Sequence, residues 1–250
     1  MSGHSKWHSI KHKKMATDAK RGKMFTKFIR EIMMAAKMGG GNPDTNPRLR
    51  IAIERAKSFN MPNDNIQRAI KKGSGEEGGV TFEQVTYEGY GPGGVALFVE
   101  VLTDNKNRSA SEIRSIFSKH NGNLAGAGSV AWLFERKGII NVNKNKIGED
   151  DLMEIVLDAG AQDMTLEGDV YEITVMPENF ETVKNALIEK KIDIADANIS
   201  LVPKTTVRVE GKSAEQVLKL LEALEDHDDV QNAYANFDIS DDVLEKVEAE

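Results

Sequence analysis

The sequence predicts an α+β protein of several domains, in which an N-terminal helical region precedes mixed α/β domains. Apolar residues recur at helical spacing through the first 75 residues, whereas strand and helix patterns alternate after residue 80. Four glycines among the seven residues 73–79 separate the two regions and are typical of a flexible linker. With 250 residues, the chain is long enough for two or three domains of ordinary size.

The helical region, residues 1–75, is predicted to contain a basic arm and a three-helix bundle. Residues 1–17 contain no acid and show little periodicity, which is typical of an arm. Helices are predicted at 18–38, 47–60 and 63–73, because each segment begins at an Asn, Asp or Thr cap and ends at glycine or before proline. The short connections between them favour a small bundle.

The strand and helix patterns after the linker divide into an inner and an outer set. The inner set, 138–204, has the order βαββαβ, which is that of a ferredoxin-like unit. The outer set contains a hairpin at 82–103, a helix, a strand at 129–135 and, after the inner set, another helix and strand. Neither part of the outer set makes a sheet-and-helix layer alone. We therefore expect 80–137 and 205–240 to form a second, discontinuous ferredoxin-like α/β domain that holds the first as an insertion.

Charge is distributed unevenly along the chain. The 33 Lys and Arg and 40 Asp and Glu give a net charge of −7, yet residues 1–75 alone carry 17 bases and 5 acids. The front region therefore has a net charge of +12 and residues 76–250 have −19. Such asymmetry indicates a nucleic-acid or anionic-membrane partner for the basic region. A membrane is the weaker alternative, because the apolar face of the first helix is needed to close the bundle.

We predict that nucleic acid is bound by cations of the arm and the first helix and by one tryptophan among them. Each Lys or Arg can neutralise a phosphate and release a counterion. Trp7 can stack on an unpaired base or pack against its own bundle. The predicted residues are Lys6, Trp7, Lys11, Lys13, Lys14, Lys20, Arg21, Lys23, Lys27 and Arg30.

No other motif favours catalysis, a cofactor or a metal. The glycines at 89, 91 and 94 have the spacing of a dinucleotide fingerprint, but a strand follows them, which predicts a hairpin turn. His4, His8 and His12 stand four apart among cations and without a carboxylate, so phosphate or base contact is favoured over zinc. The chain has no cysteine and no HExxH or GxSxG motif. We therefore expect a protein that is not an enzyme and has no cofactor or metal.

Six blocks of the chain are distinctive when they occur together. The blocks are GHSKW at 3–7, DAKRGKMFTKFIREI at 18–32, NPRLRIAIERAK at 46–57, NMPNDNIQRAIKKG at 60–73, YEGYGPGG at 87–94 and GSVAWLF at 128–134. With these blocks the chain resembles the YebC/PmpR family over essentially its whole length, most densely in the first 135 residues. The resemblance implies an N-terminal helical domain followed by two α/β domains. It also implies a probable transcriptional regulator that binds DNA or, as in a mitochondrial translational activator of cytochrome c oxidase, a factor that acts on the ribosome.

Charge and resemblance together predict a non-enzymatic regulator that binds nucleic acid through residues 1–75. Promoter DNA and ribosomal RNA are both open as targets, since side chains that read bases are not identified. The acidic α/β domains are expected to contact protein of the transcription machinery or, on the ribosome, ribosomal proteins or the nascent chain. No apolar run is long enough to span a bilayer and none near the N-terminus resembles a signal peptide. We therefore expect a cytoplasmic protein without a membrane partner.

Overall fold

The computed structural model describes residues 18–75 and 82–240, with side chains for all of these except 18–21 and 146. The chain divides into two compact units. The first unit runs to Ala131 and resumes at Val207, and the second unit is Trp132–Thr206. None of the helices in the described residues combines the length and apolar content needed to cross a membrane.

The helices and longer strands alternate in much the order that the sequence predicts. In the first unit they are α1 (Asp18–Gly39), α2 (Pro47–Ser58), α3 (Asn63–Ser74), β1 (Glu83–Tyr90), β2 (Ala96–Thr103), α4 (Lys106–Lys119) and β3 (Asn123–Ala125). The second unit contains β4 (Phe134–Asn143), α5 (Glu149–Asp158), β5 (Ala161–Glu167), β6 (Val170–Val175), α6 (Phe180–Glu189) and β7 (Ile194–Pro203). The first unit then continues with β8 (Val207–Arg208), α7 (Gly211–Glu225), β9 (Val230–Ala235) and β10 (Phe237–Asp238).

Helices α1, α2 and α3 form a bundle around one apolar core that includes Phe28, Ile32, Leu49 and Ile66. The predicted Asn-Pro cap of α2 is confirmed. Asn46 is buried, and its Oδ1 accepts a hydrogen bond from the backbone N–H of Leu49 at 3.1 Å. Its Nδ2 also donates to backbone carbonyls at the end of α1. One side chain therefore begins α2 and fixes the preceding turn.

The ends of α3 differ from the prediction. Pro62 occupies the capping position in place of Asn63, and no side chain caps the helix. The helix ends one residue beyond the predicted Gly73, and Gly75 follows in the left-handed region with φ of 88°. Gly73 has another use, since a Cβ there would overlap the backbone of Met33. The glycine therefore allows α3 to approach α1 closely.

The sheet of the first unit has the strand order β3-β1-β2-β9, and every neighbouring pair is antiparallel. Helices α4 and α7 contribute to a core with Leu97, Val99 and Val101 of β2. Because side chains alternate along a strand, Phe98 and Glu100 lie on the opposite, more polar face. The predicted hairpin at 82–103 is confirmed as β1 and β2.

The sheet of the second unit has the order β5-β6-β4-β7, again with antiparallel neighbours. Its elements follow one another as β-α-β-β-α-β. Residues of both helices meet the sheet in a core that includes Ile140, Leu152, Ile173 and Leu187. This arrangement buries one face of the sheet under helices and leaves alternate residues for the other face.

The predicted strand at 129–135 is wrong. Val130 is buried, Trp132 is 65% exposed, and Phe134 begins β4 of the second unit. The alternation of these three apolar residues imitates a strand, although they lie in a loop, a short 3₁₀ turn and the next sheet. The first sheet is completed instead by β3 (Asn123–Ala125), a short strand that the sequence analysis does not predict.

Candidate nucleic-acid interface

Three of the ten predicted nucleic-acid-binding residues have described side chains: Lys23, Lys27 and Arg30. All three lie on α1 and, as their spacing predicts, on one face of it. Lys20 and Arg21 belong to the first turns of the same helix, but their side chains are not described. The remaining residues, Lys6, Trp7, Lys11, Lys13 and Lys14, lie outside the described residues, as do His4, His8 and His12.

This face of α1 is packed against the sheet domain of the first unit. Lys27 is 6% exposed, and its Nζ donates to the backbone carbonyl of Glu225, the last residue of α7, at 2.5 Å. Arg30 forms an ion pair with Asp229 in which Nη1 and Oδ1 are 2.5 Å apart. Both cationic groups are therefore bound within the fold.

The structure thus gives Lys27 and Arg30 a role that differs from the predicted phosphate contact. Lys27 fastens α1 to the end of α7, and Arg30 fastens it to the loop between α7 and β9. Helical spacing correctly places the two residues on one face, but it carries no information about what covers that face. The partners are about 200 positions away in the sequence, with separations of 198 and 199 residues.

Lys23 differs from these two residues because its charged group remains accessible. Its Nζ lies 3.1 Å from Asp226 Oδ2, and the two side chains are 45% and 52% exposed. An exposed pair of this kind is screened by solvent and contributes about 1 kcal/mol or less. Lys23 can therefore exchange its partner for another anion at low cost.

Asp229 is the centre of a buried polar cluster, which we call the Asp229 cluster. Its Oδ1 accepts from Arg30, and its Oδ2 accepts from Ser109 Oγ at 2.5 Å and Thr103 Oγ1 at 3.0 Å. Arg108 also approaches Oδ2 at 3.5 Å. Burial raises the pKa of Asp229, but the hydrogen bonds from Ser109, Arg30 and Thr103 outweigh it and hold the pKa below its usual value. The carboxylate is therefore ionised at neutral pH.

A metal ion at this place is disfavoured by the donors already present. Glu112, His227 and Asp229 bring their ligand atoms within 4.8 Å of one another. However, both Asp229 oxygens accept hydrogen bonds, and two guanidinium groups, of Arg30 and Arg108, stand beside them. His227 Nε2 lies 2.8 Å from Glu112 Oε2, which satisfies both groups. The geometry is that of a hydrogen-bonded ion cluster.

A second buried carboxylate, Glu88 on β1, binds the loop that precedes the second unit. Its Oε1 accepts the backbone N–H of Gly128 at 2.7 Å, and its Oε2 accepts those of Val130 and Ala131 at 2.6 and 2.9 Å. Burial raises the pKa of Glu88, but these three donors together bring it below its ordinary value. The sequence analysis missed this residue, because Glu83 and Glu100 of the same hairpin are acids as well and the spacing does not distinguish Glu88 from them.

The exposed surface of the bundle carries further cations that were not among the ten predicted residues. Seven of them form no ion pair with any residue that the structure describes. Arg68, Lys71 and Lys72 follow the helical spacing of 3 and 1 on α3, which is the signal that could have identified them. The seven residues are Lys37, Arg48, Arg50, Lys57, Arg68, Lys71 and Lys72.

The glycine motif between β1 and β2 is a hairpin turn, as predicted. Gly93 and Gly94 have φ values of 71° and 78°, which glycine adopts without strain. The backbone N–H of Gly91 donates to the carbonyl of Val95 and closes the turn. No helix N-terminus follows, so the motif lacks the donors that a dinucleotide pyrophosphate requires.

Comparison with known proteins gives matches along most of the chain. A family model described as the TACO1/YebC protein N-terminal domain matches residues 5–76, and one described as the TACO1/YebC second and third domain matches 82–237. Relatives from Dictyoglomus thermophilum and Syntrophobacter fumaroxidans, each named a probable transcriptional regulatory protein, are 59% identical over 248 residues. Each alignment covers 99% of this chain and 100% of the relative.

A solved structure is also similar. It is the crystal structure of a conserved hypothetical protein, Aq1575, from Aquifex aeolicus. The two chains are 50% identical, and the TM-score is 0.82. The match covers 91% of this chain and 94% of the other. At this level of identity and coverage the two proteins share a mixed α/β fold with N-terminal helices.

Proposed function

Since the chain belongs to the TACO1/YebC family, we propose that it is a non-enzymatic regulatory protein that binds nucleic acid through its N-terminal region. The names of its relatives support a regulatory role. The observation that carries the nucleic-acid part is the set of seven exposed bundle cations that form no ion pair with a described residue. A cationic surface of this density attracts a phosphate backbone whatever its sequence.

The proposed surface combines the arm, the first turns of α1 and the outer faces of the bundle. Trp7 stacks on a base, while Lys27 and Arg30 hold α1 in position against the sheet domain. Some residues of the surface therefore bind the nucleic acid, whereas Lys27 and Arg30 fix the orientation of α1. The phosphate contacts fall to Lys6, Lys11, Lys13, Lys14, Lys20, Arg21 and Lys23, together with the seven bundle cations.

Our leading candidate for the target is DNA, as for a transcriptional regulator. The second candidate is the ribosome, and the observation that favours it is the charge of the second unit. Trp132–Thr206 contains 15 Asp and Glu against 8 Lys and Arg. Such a unit repels phosphate and attracts basic proteins, which accompany RNA in the ribosome. In either case the acidic domains contact protein while the bundle contacts nucleic acid.

The first experiment tests the charged surface in the full chain. A labelled duplex is titrated at several salt concentrations, with Lys71→Glu/Lys72→Glu as the variant. Lys144→Glu/Lys190→Glu in the second unit is the matched control, because it changes the net charge equally. We expect the bundle variant alone to lose at least tenfold in affinity and to flatten the salt dependence by about one contact per lysine. Binding that is independent of salt would contradict the proposal.

The second experiment distinguishes the two targets. A promoter fragment and a scrambled fragment are compared at physiological salt, and the full chain is sedimented with ribosomes. Specific promoter binding requires a preference of about 10³ or more. Cosedimentation that is lost in the Lys71→Glu/Lys72→Glu variant favours the ribosome. Equal affinity for both fragments without cosedimentation would contradict both candidates.

A further inference from the structure

Trp132 lies on the surface of the second unit with 65% of its area exposed. It is the middle residue of the short 3₁₀ turn that precedes β4. The apolar residues that follow it are covered to a greater degree, since Leu133 is half-buried and Phe134 is buried. Aromatic side chains are enriched at binding surfaces because they bury a large area on contact. The exposed indole is therefore suited to contact a partner.

The backbone that carries this ring is held by the end of β7. Pairing of β4 with β7 begins at Phe134 and Pro203. The next residue, Lys204, donates its backbone N–H to the carbonyl of Leu133 at 2.8 Å and its Nζ to the carbonyl of Trp132 at 3.0 Å. A side chain on a fixed backbone loses less conformational entropy when it binds. The ring is thus presented from a firm support.

The charge around the ring is opposite to that of the second unit as a whole. The unit contains 15 acids and 8 bases, whereas residues 132–137 and 203–206 contain one acid and three bases. One of these bases, Lys137, lies 3.5 Å from the single acid. The other two, Arg136 and Lys204, are exposed and form no ion pair with any residue that the structure describes. This end of the unit therefore presents one ring and two available cations.

A ring next to cations matches single-stranded nucleic acid. Sites for such strands combine cations that follow the phosphates with aromatic rings on which bases stack, and every base has a face that can stack. A duplex keeps these faces inside its own stack. A basic protein, which the acids of this unit attract elsewhere, would be repelled by the two cations. Charge complementarity therefore favours an unpaired strand at this place.

We propose that Trp132 stacks on an unpaired base of single-stranded nucleic acid, with Arg136 and Lys204 at the neighbouring phosphates. Lys204 Nζ has three N–H donors, so the bond to the Trp132 carbonyl leaves donors for a phosphate. The inference rests on the proposed function, because one stacked base adds to the affinity that the bundle cations supply. It goes further by assigning a contact to the second unit and by requiring an unpaired base.

Tryptophan fluorescence tests the stack directly in the full chain. The chain contains two tryptophans, so in the Trp7→Phe variant all tryptophan emission comes from Trp132. We expect saturating rA12 and dA12 each to quench this emission, and a duplex of the same length to leave it unchanged. Quenching by only one of the two strands would support the stack and identify a sugar preference. Emission that no strand changes would overturn the inference.

Substitution of the ring separates stacking from general attraction. Trp132→Leu keeps an apolar side chain without a ring and should lower the affinity for labelled rA12 about tenfold. Trp132→Phe should retain most of the affinity. Ile188→Ala, at another exposed apolar residue of the same unit, is the matched control and should retain all of it. Melting temperatures should not change, because both positions are exposed. Equal affinities of Trp132→Leu and the control would overturn the inference.

Substitution of the two cations tests the phosphate contacts. Arg136→Gln/Lys204→Gln should weaken rA12 binding and flatten its salt dependence by about one contact per residue. Lys190→Gln/Lys191→Gln, an exposed basic pair elsewhere in the unit, removes the same charge and should have no such effect. Identical salt slopes for the two double variants would contradict a role for Arg136 and Lys204.

Failure of the stack and failure of the proposed function give different results. Salt-dependent binding of rA12 without quenching of Trp132 would overturn the stack alone. Absence of salt-dependent binding to any strand or duplex would overturn both. Quenching of Trp132 by a lysine-rich peptide, but not by rA12, would assign the ring to a protein partner and would likewise overturn the stack.

Discussion

Asp229 and Glu88 are both buried carboxylates with lowered pKa values, but the two regions around them are built differently. Asp229 receives side-chain donors, among them Arg30 from a helix almost 200 residues earlier in the chain. Glu88 receives three backbone N–H groups from a single loop. The first region joins two distant segments through charge, whereas the second fixes a local turn through hydrogen bonds. A lysine or arginine that the sequence predicts to bind a ligand can therefore be paired instead with an acid of the same chain.

The largest effect is expected where the Asp229 cluster loses its charged partner. Arg30→Met should lower the free energy of unfolding by about 3 kcal/mol, because it leaves a buried carboxylate without its main cation. Urea denaturation measures this change. Arg50→Met, at an exposed position on α2, is the matched control and should change stability by about 0.5 kcal/mol or less. Equal stabilities for the two variants would show that the cluster does not fasten α1.

A smaller and more local effect is expected at Glu88. Glu88→Gln should cost about 2 kcal/mol, because the amide has one acceptor oxygen and directs an N–H at the loop donors. Hydrogen exchange of the backbone amides of 128, 130 and 131 should become faster, while the Asp229 cluster stays protected. Glu83→Gln on the same strand is exposed and serves as the control. Slow exchange in the Glu88 variant would contradict the assignment of Glu88 as the anchor.

The pH dependence of stability tests both carboxylates together. Each has a folded pKa below its unfolded value, so its contribution is fully present above the unfolded pKa of about 4 and is lost as pH falls through the folded pKa. We expect unfolding free energy to decline below about pH 4. The decline should be shallower in Asp229→Asn and in Glu88→Gln. An acid limb that is unchanged in both variants would contradict the lowered pKa values.

The smallest effect on stability is expected at Lys23, the exposed member of its face. Lys23→Ala should change the free energy of unfolding by about 0.5 kcal/mol or less, since its pair with Asp226 is screened by solvent. The affinity of the Lys23→Ala variant for a labelled duplex should nevertheless fall several-fold if Lys23 holds a phosphate. Asp226→Asn releases Lys23 from its pair and should raise the affinity slightly. A lower affinity for the duplex in Lys23→Ala and a higher affinity in Asp226→Asn would support a binding role for Lys23, in contrast to the structural role of Lys27 and Arg30.

Much of the local structure was predictable because it depends on short stretches of sequence. The Asn46-Pro47 cap, the hairpin of β1 and β2 and the helix and strand order of 138–204 follow from capping residues, glycines and the period of apolar residues. The strand predicted at 129–135 was wrong because that prediction, too, depended on a short stretch of sequence alone. Alternating apolar residues satisfy the strand pattern even when each residue belongs to a different environment.

Part of the candidate site was also predictable. The basic character of residues 1–75 and the common face of Lys23, Lys27 and Arg30 can be derived from composition and helical spacing. The partner of each cation cannot be derived in this way, because it depends on which acid or carbonyl lies opposite in the folded chain. The irregular pairing of β2 with β9 between Glu100 and Val101 is another example, since an extra residue in a strand pair is defined only once the partner strand is known.

By itself the sequence determined the charge division and most of the helix and strand order. Only the tertiary structure decided that Lys27 and Arg30 serve the fold and that Lys23 stays exposed. The physical reason is the separation along the sequence over which each kind of interaction acts. Periodicity and capping act over a few residues, whereas the burial of a charge or a polar group depends on contacts between segments far apart in the chain.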